Sequence, residues 1–435
     1  MTTSKAVLIR GARIFDPGRG VDLVGDLLLS EGKVAALGEV PAALAEGAQV
    51  VDARGLLATP GLIDLHTHLR EPGYEYKEDV SSGAAAAVAG GFSAICCVPN
   101  TEPPNDSRAV TKLVMERARE AGRARVFPVA AATKGRKGKE LTEMGELKEA
   151  GAVAVSDDGD PISEAGMMRR VLEYASTFGL PVANHCEDLS LSRRAPVHEG
   201  VVSAWTGLRG QPASAEVVML ARDLALCAET GARYHACHLS SARSVELVRE
   251  AKSRGLPVSA EVTVHHIALS HEANRDFDPN TKCNPPLRAE EDRKACLAGL
   301  RDGTIDALVT DHAPHTDNDK AVEFDDAPFG VIGLETALPV GLGLVAAGEL
   351  SLETLIESLT AGPAACFGLP GGSLAPGAPA DVTLVDLGMS FTIQPSNFLS
   401  KSRNTPFAGL AARGRAVATF VGGRSVFGWP EGLVR

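Results

Sequence analysis

Along the middle of the chain, eight short apolar runs alternate with helical patterns, and no other feature restricts the fold as tightly. The runs begin near Leu62, Phe92, Arg125, Ala152, Pro181, Arg233, Pro257 and Ile305, as in FSAICCV, RVFPVA and RYHACH. Continuous apolar runs of this length, separated by helices, are what strands buried on both faces of a parallel sheet look like. Helical patterns fall at residues 164–178, 213–230, 241–254 and 289–301. Eight βα units over about 300 residues close into a (β/α)8 TIM barrel, whose functional groups sit where the strands end. An open doubly wound sheet is the weaker alternative, because no glycine-rich phosphate loop follows the first strand.

The two ends of the chain read differently. Short β-type runs such as Val7-Leu8-Ile9 and Asp26-Leu27-Leu28-Leu29 precede residue 58, and Asp381-Val382-Thr383-Leu384-Val385 and Ala416-Val417-Ala418-Thr419-Phe420 recur near the other end. Neither end carries enough strands for a stable sheet. They are expected to pair into one small β-sandwich domain built from both termini, residues 1–58 and 374–435, beside a barrel domain over residues 59–373.

Charge and cysteine content narrow the chemistry. Lys and Arg number 43 against 55 Asp and Glu, a net charge of -12, which argues against binding nucleic acid or an anionic membrane surface. An anionic substrate must therefore meet a local cationic patch. Residues 1–10 hold no apolar core of signal-peptide length and no apolar stretch reaches ~18 residues, so a cytoplasmic chain is expected. Of eight cysteines, Cys96 and Cys97 are adjacent and the rest are scattered with no CxxC, which favours free buried thiols over disulfides.

The strand ends carry a restricted set of side chains. Strand one ends in His66 and His68, which share one face because alternate strand residues do. Strand four runs into Ser156-Asp157-Asp158-Gly159, strand five ends at His185, strand six at His238 and strand eight at Asp311. Imidazole and carboxylate are the ligands of zinc or a similar divalent ion. Six such residues exceed one ion's needs and suggest two ions, with a carboxylate able to bridge them. Asp157 and Asp158 could equally form a turn with a helix cap. His198, His235, His265 and His271 fall at helix, mid-strand or loop positions and are read as structural or surface residues.

These residues resemble the amidohydrolase superfamily, whose strand-one signature PGxIDxHxH matches residues 60–68. Within it the chain is similar to dihydroorotases of the class I type. The segments that carry the likeness include His68-Leu69-Arg70-Glu71-Pro72-Gly73, Val98-Pro99-Asn100-Thr101, His185-Cys186-Glu187-Asp188, Asn284-Pro285-Pro286-Leu287-Arg288, residues 310–315 and Ser402-Arg403-Asn404-Thr405-Pro406. The resemblance implies reversible zinc-dependent cyclisation of N-carbamoyl-L-aspartate to (S)-dihydroorotate in de novo pyrimidine biosynthesis, with two zinc ions per subunit. It implies that His66, His68 and Asp311 hold one ion, His185 and His238 the other, and that Asp158 bridges them. Arg70, Asn100 and His315 would hold the substrate carboxylate, Asn284 would help define the pocket, and Asp311 would carry the proton. A homo-oligomer, and aspartate carbamoyltransferase as a partner, also follow from the likeness.

Two other readings stand beside it. A hydantoinase or allantoinase shares the barrel and the cyclic-amide chemistry but generally bridges its metals with a carboxylated lysine. A catalytically silent dihydroorotase-like scaffold for aspartate carbamoyltransferase typically lacks the HxH pair. This chain departs from the family pattern in three places: Glu71 stands where Asp is commoner, Val264 stands where proline is expected, and strand four offers Asp157 and Asp158 but no lysine. The second departure leaves His266 unassigned; Lys134, Lys137 and Lys139 are read as a solvated basic loop. Residues 316–329, polar and acidic, read either as a mobile surface loop or as a cover over the pocket.

Overall fold

All eight apolar runs become parallel strands in a computed structural model that describes residues 6–428. The strands are Leu62–Thr67, Phe92–Cys97, Arg125–Ala130, Ala154–Val155, Val182–Asn184, Tyr234–Ala236, Val258–Thr263 and Ala307–Val309, paired in chain order. A parallel bridge between Thr67 and His312 joins the last to the first, and the His68 N–H donates to the His312 carbonyl at 2.8 Å. Buried Asp64 locks this seam. One of its oxygens accepts the His66 N–H at 3.0 Å and the other accepts the Thr310 hydroxyl at 2.5 Å. The result is a TIM barrel.

Strands four and eight are shorter than their apolar runs. Each meets a polar sequence at the rim, Ser156-Asp157-Asp158 or Thr310-Asp311-His312. Helices cover the outside, and their sequences explain where they stop. Val80–Ala89 begins in a reciprocal cap, Asp79 accepting the Ser82 N–H at 2.7 Å while the Ser82 hydroxyl accepts the Asp79 N–H at 3.1 Å. Arg108–Ala121 ends at Gly122, whose left-handed φ of 61° a side chain would resist. Ala242–Ser253 buries Val245, Val248 and Ala251 as one stripe. Each such valine contributes roughly 1.5–3 kcal/mol, so Val248→Asp would break that contact.

The ends of the described chain form a second sheet of eight strands. Its order is Arg424–Gly428, Ala411–Val421, Val382–Thr392, Leu57–Pro60, Val7–Asp16, Val21–Ser30 and Lys33–Gly38, with Gln49–Asp52 also on Val7–Asp16. A bulge between Ile9 and Ala12, where Gly11 takes φ 71°, bends Val7–Asp16 so that residues 7–10 pair with Gln49–Asp52 and residues 13–14 with Leu57 and Ala58. Ile9, Ile14, Leu27 and Leu29 from one end and Val382, Leu384 and Phe420 from the other share one core. Thr383 Oγ1 donates to the Gly91 carbonyl at 2.6 Å and Arg125 pairs with Asp381 at 2.8 Å. Both contacts lie where barrel strands begin, so the rim where they end is left free. All eight cysteines are buried and unpaired, and among the described residues no helix is long and apolar enough to cross a membrane.

Candidate active site

Three residues on the rim hold a left-handed backbone that side chains rarely adopt: Arg70 at φ 64°, His238 at 29° and Asp311 at 46°. Such conformations cost on the order of 1–3 kcal/mol each and gather where function demands a particular aim. Here they turn side chains from three strand ends toward one point.

At that point His66, His68, Asp158, His185, His238 and Asp311 converge, all buried. His66 Nε2 lies 3.3 Å from Asp158 Oδ1 and 3.6 Å from Asp311 Oδ1. His68 Nε2 is 2.7 Å from Asp311 Oδ1. His238 Nε2 is 3.6 Å from Asp158 Oδ1 and 3.0 Å from His185 Nδ1. Asp157, the other acid of strand four, is engaged elsewhere: its Oδ1 accepts the Thr133 N–H at 2.9 Å and its Oδ2 the Thr133 hydroxyl. The acid that faces the histidines is Asp158.

Outer groups decide which nitrogen of each ring is free. Glu261 Oε1 accepts from His66 Nδ1 at 2.6 Å, Asn100 Oδ1 from His68 Nδ1 at 2.9 Å and Glu187 Oε2 from His185 Nε2 at 2.9 Å. Each of these rings then turns a lone pair inward, onto carboxylates or another imidazole. Such an arrangement needs a proton or a cation between the groups. His66 Nε2 and Asp158 Oδ1 are buried with no hydrogen-bond partner, so the donor set fits a metal centre on the geometry itself. Without a metal, burial works against charge on His66, and the Asp158 and Glu261 carboxylates outweigh it and raise its pKa. Glu261, pushed up by burial but held to about 2 by His66 and His235, remains the anion that orients His66.

The centre opens into a cleft of about 180 Å³ also lined by Arg70, Asn100, Asn284, His315 and Phe329. Arg70 is charged at neutral pH, although burial brings its pKa down to about 10. It is the half-buried cation that an acidic protein needs for an anionic ligand. His315 is held neutral, its pKa lowered to about 2 by burial and by Arg70, Lys320 and Lys77. Its Nε2–H donates to the Phe329 carbonyl at 2.8 Å and its Nδ1 accepts from Lys77 Nζ at 3.3 Å. Both ring nitrogens are thus committed to protein groups. Asn284 Nδ2 donates to Glu187 at 2.9 Å, leaving its Oδ1 buried and unpartnered.

Sequence reasoning missed Glu261, Glu187 and Lys77. Glu261 carried a signal: an acid inside an otherwise apolar run buried from both sides must have a partner. The same is true of His235, whose Nε2 lies 3.0 Å from Glu261 Oε2. Val264, out of pattern in the sequence, sits at the first position of the helix Val264–Ala268, where Thr263 Oγ1 accepts the His266 N–H at 3.1 Å. Proline suits that position because its missing N–H would be unpaired there anyway; valine forms the same turn.

A "Dihydro-orotase-like" family model matches residues 55–244, and an "Amidohydrolase family" model matches residues 295–427. A dihydroorotase of Anaeromyxobacter dehalogenans is 52% identical over 425 residues, covering 97% of this chain and 98% of that one. The chain belongs to the dihydroorotase family. A dihydroorotase of Syntrophus aciditrophicus is 48% identical, with 97% and 99% covered. Among solved structures, an L-hydantoinase (dihydropyrimidinase) from Arthrobacter aurescens superposes with a TM-score of 0.86 at 25% identity, covering 97% of this chain and 96% of that one. The family is one of cyclic amide hydrolases.

Proposed function

We propose that this dihydroorotase-family enzyme interconverts N-carbamoyl-L-aspartate and (S)-dihydroorotate at the cleft, with two zinc ions resident at the rim. The observation that carries the reading is the convergence of six metal-competent groups beside the half-buried guanidinium of Arg70. His66, His68 and Asp311 would hold one ion, His185 and His238 the other, and Asp158 both. Zinc in that position supplies a polarised carbonyl and a water acidic enough to attack near pH 7.

The chain's own groups do the rest. The Asp311 Oδ1 is turned to His68, so Oδ2 is the oxygen that takes a proton from the attacking water and returns it to the amide nitrogen of the opening ring. Ring closure runs through the same groups in reverse. Arg70 pairs with the ring carboxylate and fixes the face presented to the metals. Asn100 serves twice, its Oδ1 orienting His68 and its Nδ2 remaining for substrate. Asn284 Oδ1 is suited to accept from a ring N–H. His315 closes the wall behind the carboxylate through its ties to Phe329 and Lys77.

The same reading divides the chain into a barrel domain, residues 59–373, and a composite domain, residues 1–58 and 374–435; the shared terminal core supports it. It also sets the reaction in the cytoplasm, in a homo-oligomer with aspartate carbamoyltransferase as a candidate partner. The test is to count metal in the purified protein and follow absorbance with dihydroorotate beside dihydrouracil, hydantoin and allantoin. About two zinc ions per chain and strong preference for dihydroorotate are expected. Equal rates on dihydrouracil would remove Arg70 from carboxylate recognition.

A further inference from the structure

Close to the rim, yet sharing none of its candidate ligands, His265, His266 and Cys283 bring ring nitrogens and a thiol sulfur within 4.8 Å of one another. The two histidines belong to the short helix after strand seven, and Cys283 to the loop that leads into Asn284. His265 is 1% exposed, and neither of its ring nitrogens has a hydrogen-bond partner. A neutral imidazole always carries one N–H and one lone pair, so this ring leaves both unsatisfied in the interior, which folded proteins seldom tolerate. His266 is oriented beside it, with Nδ1 2.7 Å from Thr263 Oγ1 and Nε2 3.0 Å from the Pro285 carbonyl. Cys283 is 2% exposed and free of any disulfide.

We infer that His265, His266 and Cys283 form a separate cation site, suited to a borderline-soft divalent ion such as zinc or cadmium. Two imidazole nitrogens and one thiolate are three of the four ligands such ions take, with water able to complete the set. Binding exchanges one proton for one ion: the Cys283 thiol loses its proton to solvent as the sulfur–metal bond forms, and one His266 nitrogen gives up its present partner. Burial raises the Cys283 pKa to about 12, so loading is expected to strengthen as pH rises. Because Cys283 immediately precedes Asn284, an ion here would tie the helix after strand seven to the wall of the cleft.

The purified protein with its resident metals in place is titrated with cadmium, and the ultraviolet thiolate-to-cadmium charge-transfer band is followed. None of the six rim ligands bears sulfur, so they contribute nothing to that band. It should saturate at one equivalent, vanish in Cys283→Ser and need at least ~10-fold more cadmium in His265→Gln, since losing one ligand of three costs that much or more. It should be unchanged in Cys237→Ser, the control for the thiol beside His66 and Glu261. Cadmium-113 NMR of the unaltered protein reads the donor set directly and should report one sulfur with nitrogen donors. No band at one equivalent, a band that survives Cys283→Ser, or one lost in Cys237→Ser would each overturn the site and leave an ordered water as the partner of His265.

Discussion

Along one wall of the cleft, His66, His185, His238 and Asp311 leave barrel strands, and two of the rings rest on buried acids, Glu261 and Glu187. Along the other, Arg70, Asn100, Asn284 and His315 leave loops; Arg70 and His315 rest on backbone carbonyls and on each other, while Asn100 and Asn284 reach across to His68 and Glu187. Arg70 Nε donates to the Pro314 carbonyl at 3.2 Å, and His315 leans on Phe329 and Lys77. The first wall has two buried carboxylates beneath it: Glu261 is fixed within barrel strand Val258–Thr263, and Glu187 lies in the loop just past strand five. The second is held by contacts to the segment at residues 316–330, including Gly330, where an added Cβ would fall 3.2 Å from His315 Nε2. A rigid wall suits a metal pair whose ligands must not drift, and an adjustable wall suits a substrate that must enter and leave. Substitutions on the two walls should therefore fail in different ways.

The largest loss is expected at the rigid wall. Asp311→Asn keeps the size of the side chain but removes the proton carrier, and kcat should fall by about 10²–10⁴-fold, the usual worth of a positioned acid–base group. Circular dichroism should show the fold retained. A variant with near-normal kcat would take Asp311 out of the reaction.

On the adjustable wall, Arg70→Met should lower kcat/KM for dihydroorotate by roughly 10–100-fold, since a charge-assisted pair contributes about 1.5–3 kcal/mol. The uncharged ring of dihydrouracil should lose little. Equal losses on both substrates would mean that Arg70 supports the wall and does not read the carboxylate.

Glu261→Gln probes what stands beneath the first wall without touching a ligand. Its uncharged amide, which can turn either its carbonyl or its NH2 to Nδ1, holds His66 less firmly with Nδ1 protonated and Nε2 free, and zinc affinity should drop by about 10–100-fold in competition with a chelator. With excess zinc, turnover should largely return. If it does not, Glu261 matters for more than orienting His66.

How much of this could be read from the chain follows the same division. The ligand candidates stood out because imidazoles and acids are conspicuous at the ends of apolar strands, and the barrel followed from counting those strands. The acids that orient the ligands did not stand out as a set, because Glu261 meets His66 across 195 residues of sequence. Nor could SDDG alone separate Asp158 from Asp157; the Thr133 contacts that occupy Asp157 exist only once strands three and four are side by side. The loop wall was hardest. Arg70 and His315 lie 245 residues apart, and the acidic, polar run at residues 316–329 reads equally well as a mobile surface loop or as a cover over the pocket. Yet it buries Phe324 and Lys320, and its carbonyls at Phe324 and Asp325 accept from Lys282 Nζ at 2.8 and 2.9 Å.

Lys320 gives the smallest and most specific test of that wall. Its Nζ donates to the Pro279 and Pro328 carbonyls at 3.0 and 2.7 Å, and burial brings its pKa down from 10.5 to about 7. Between pH 7 and 10.5 the unfolded chain binds a proton here that the folded chain does not, so this group's contribution to stability rises with pH across that window and is lost as pH falls toward 7. Lys320→Met removes both the titration and the two hydrogen bonds. Relative to the parent it should be destabilised at pH 9 by on the order of 1–2 kcal/mol and by less at pH 6, as read from urea midpoints. Its kcat should stay within a few-fold while KM rises, because Pro328 leads directly into Phe329 on the cleft wall. A stability difference independent of pH would mean that Lys320 stays charged, and the segment would then be held by ion–dipole contacts that do not switch near neutrality.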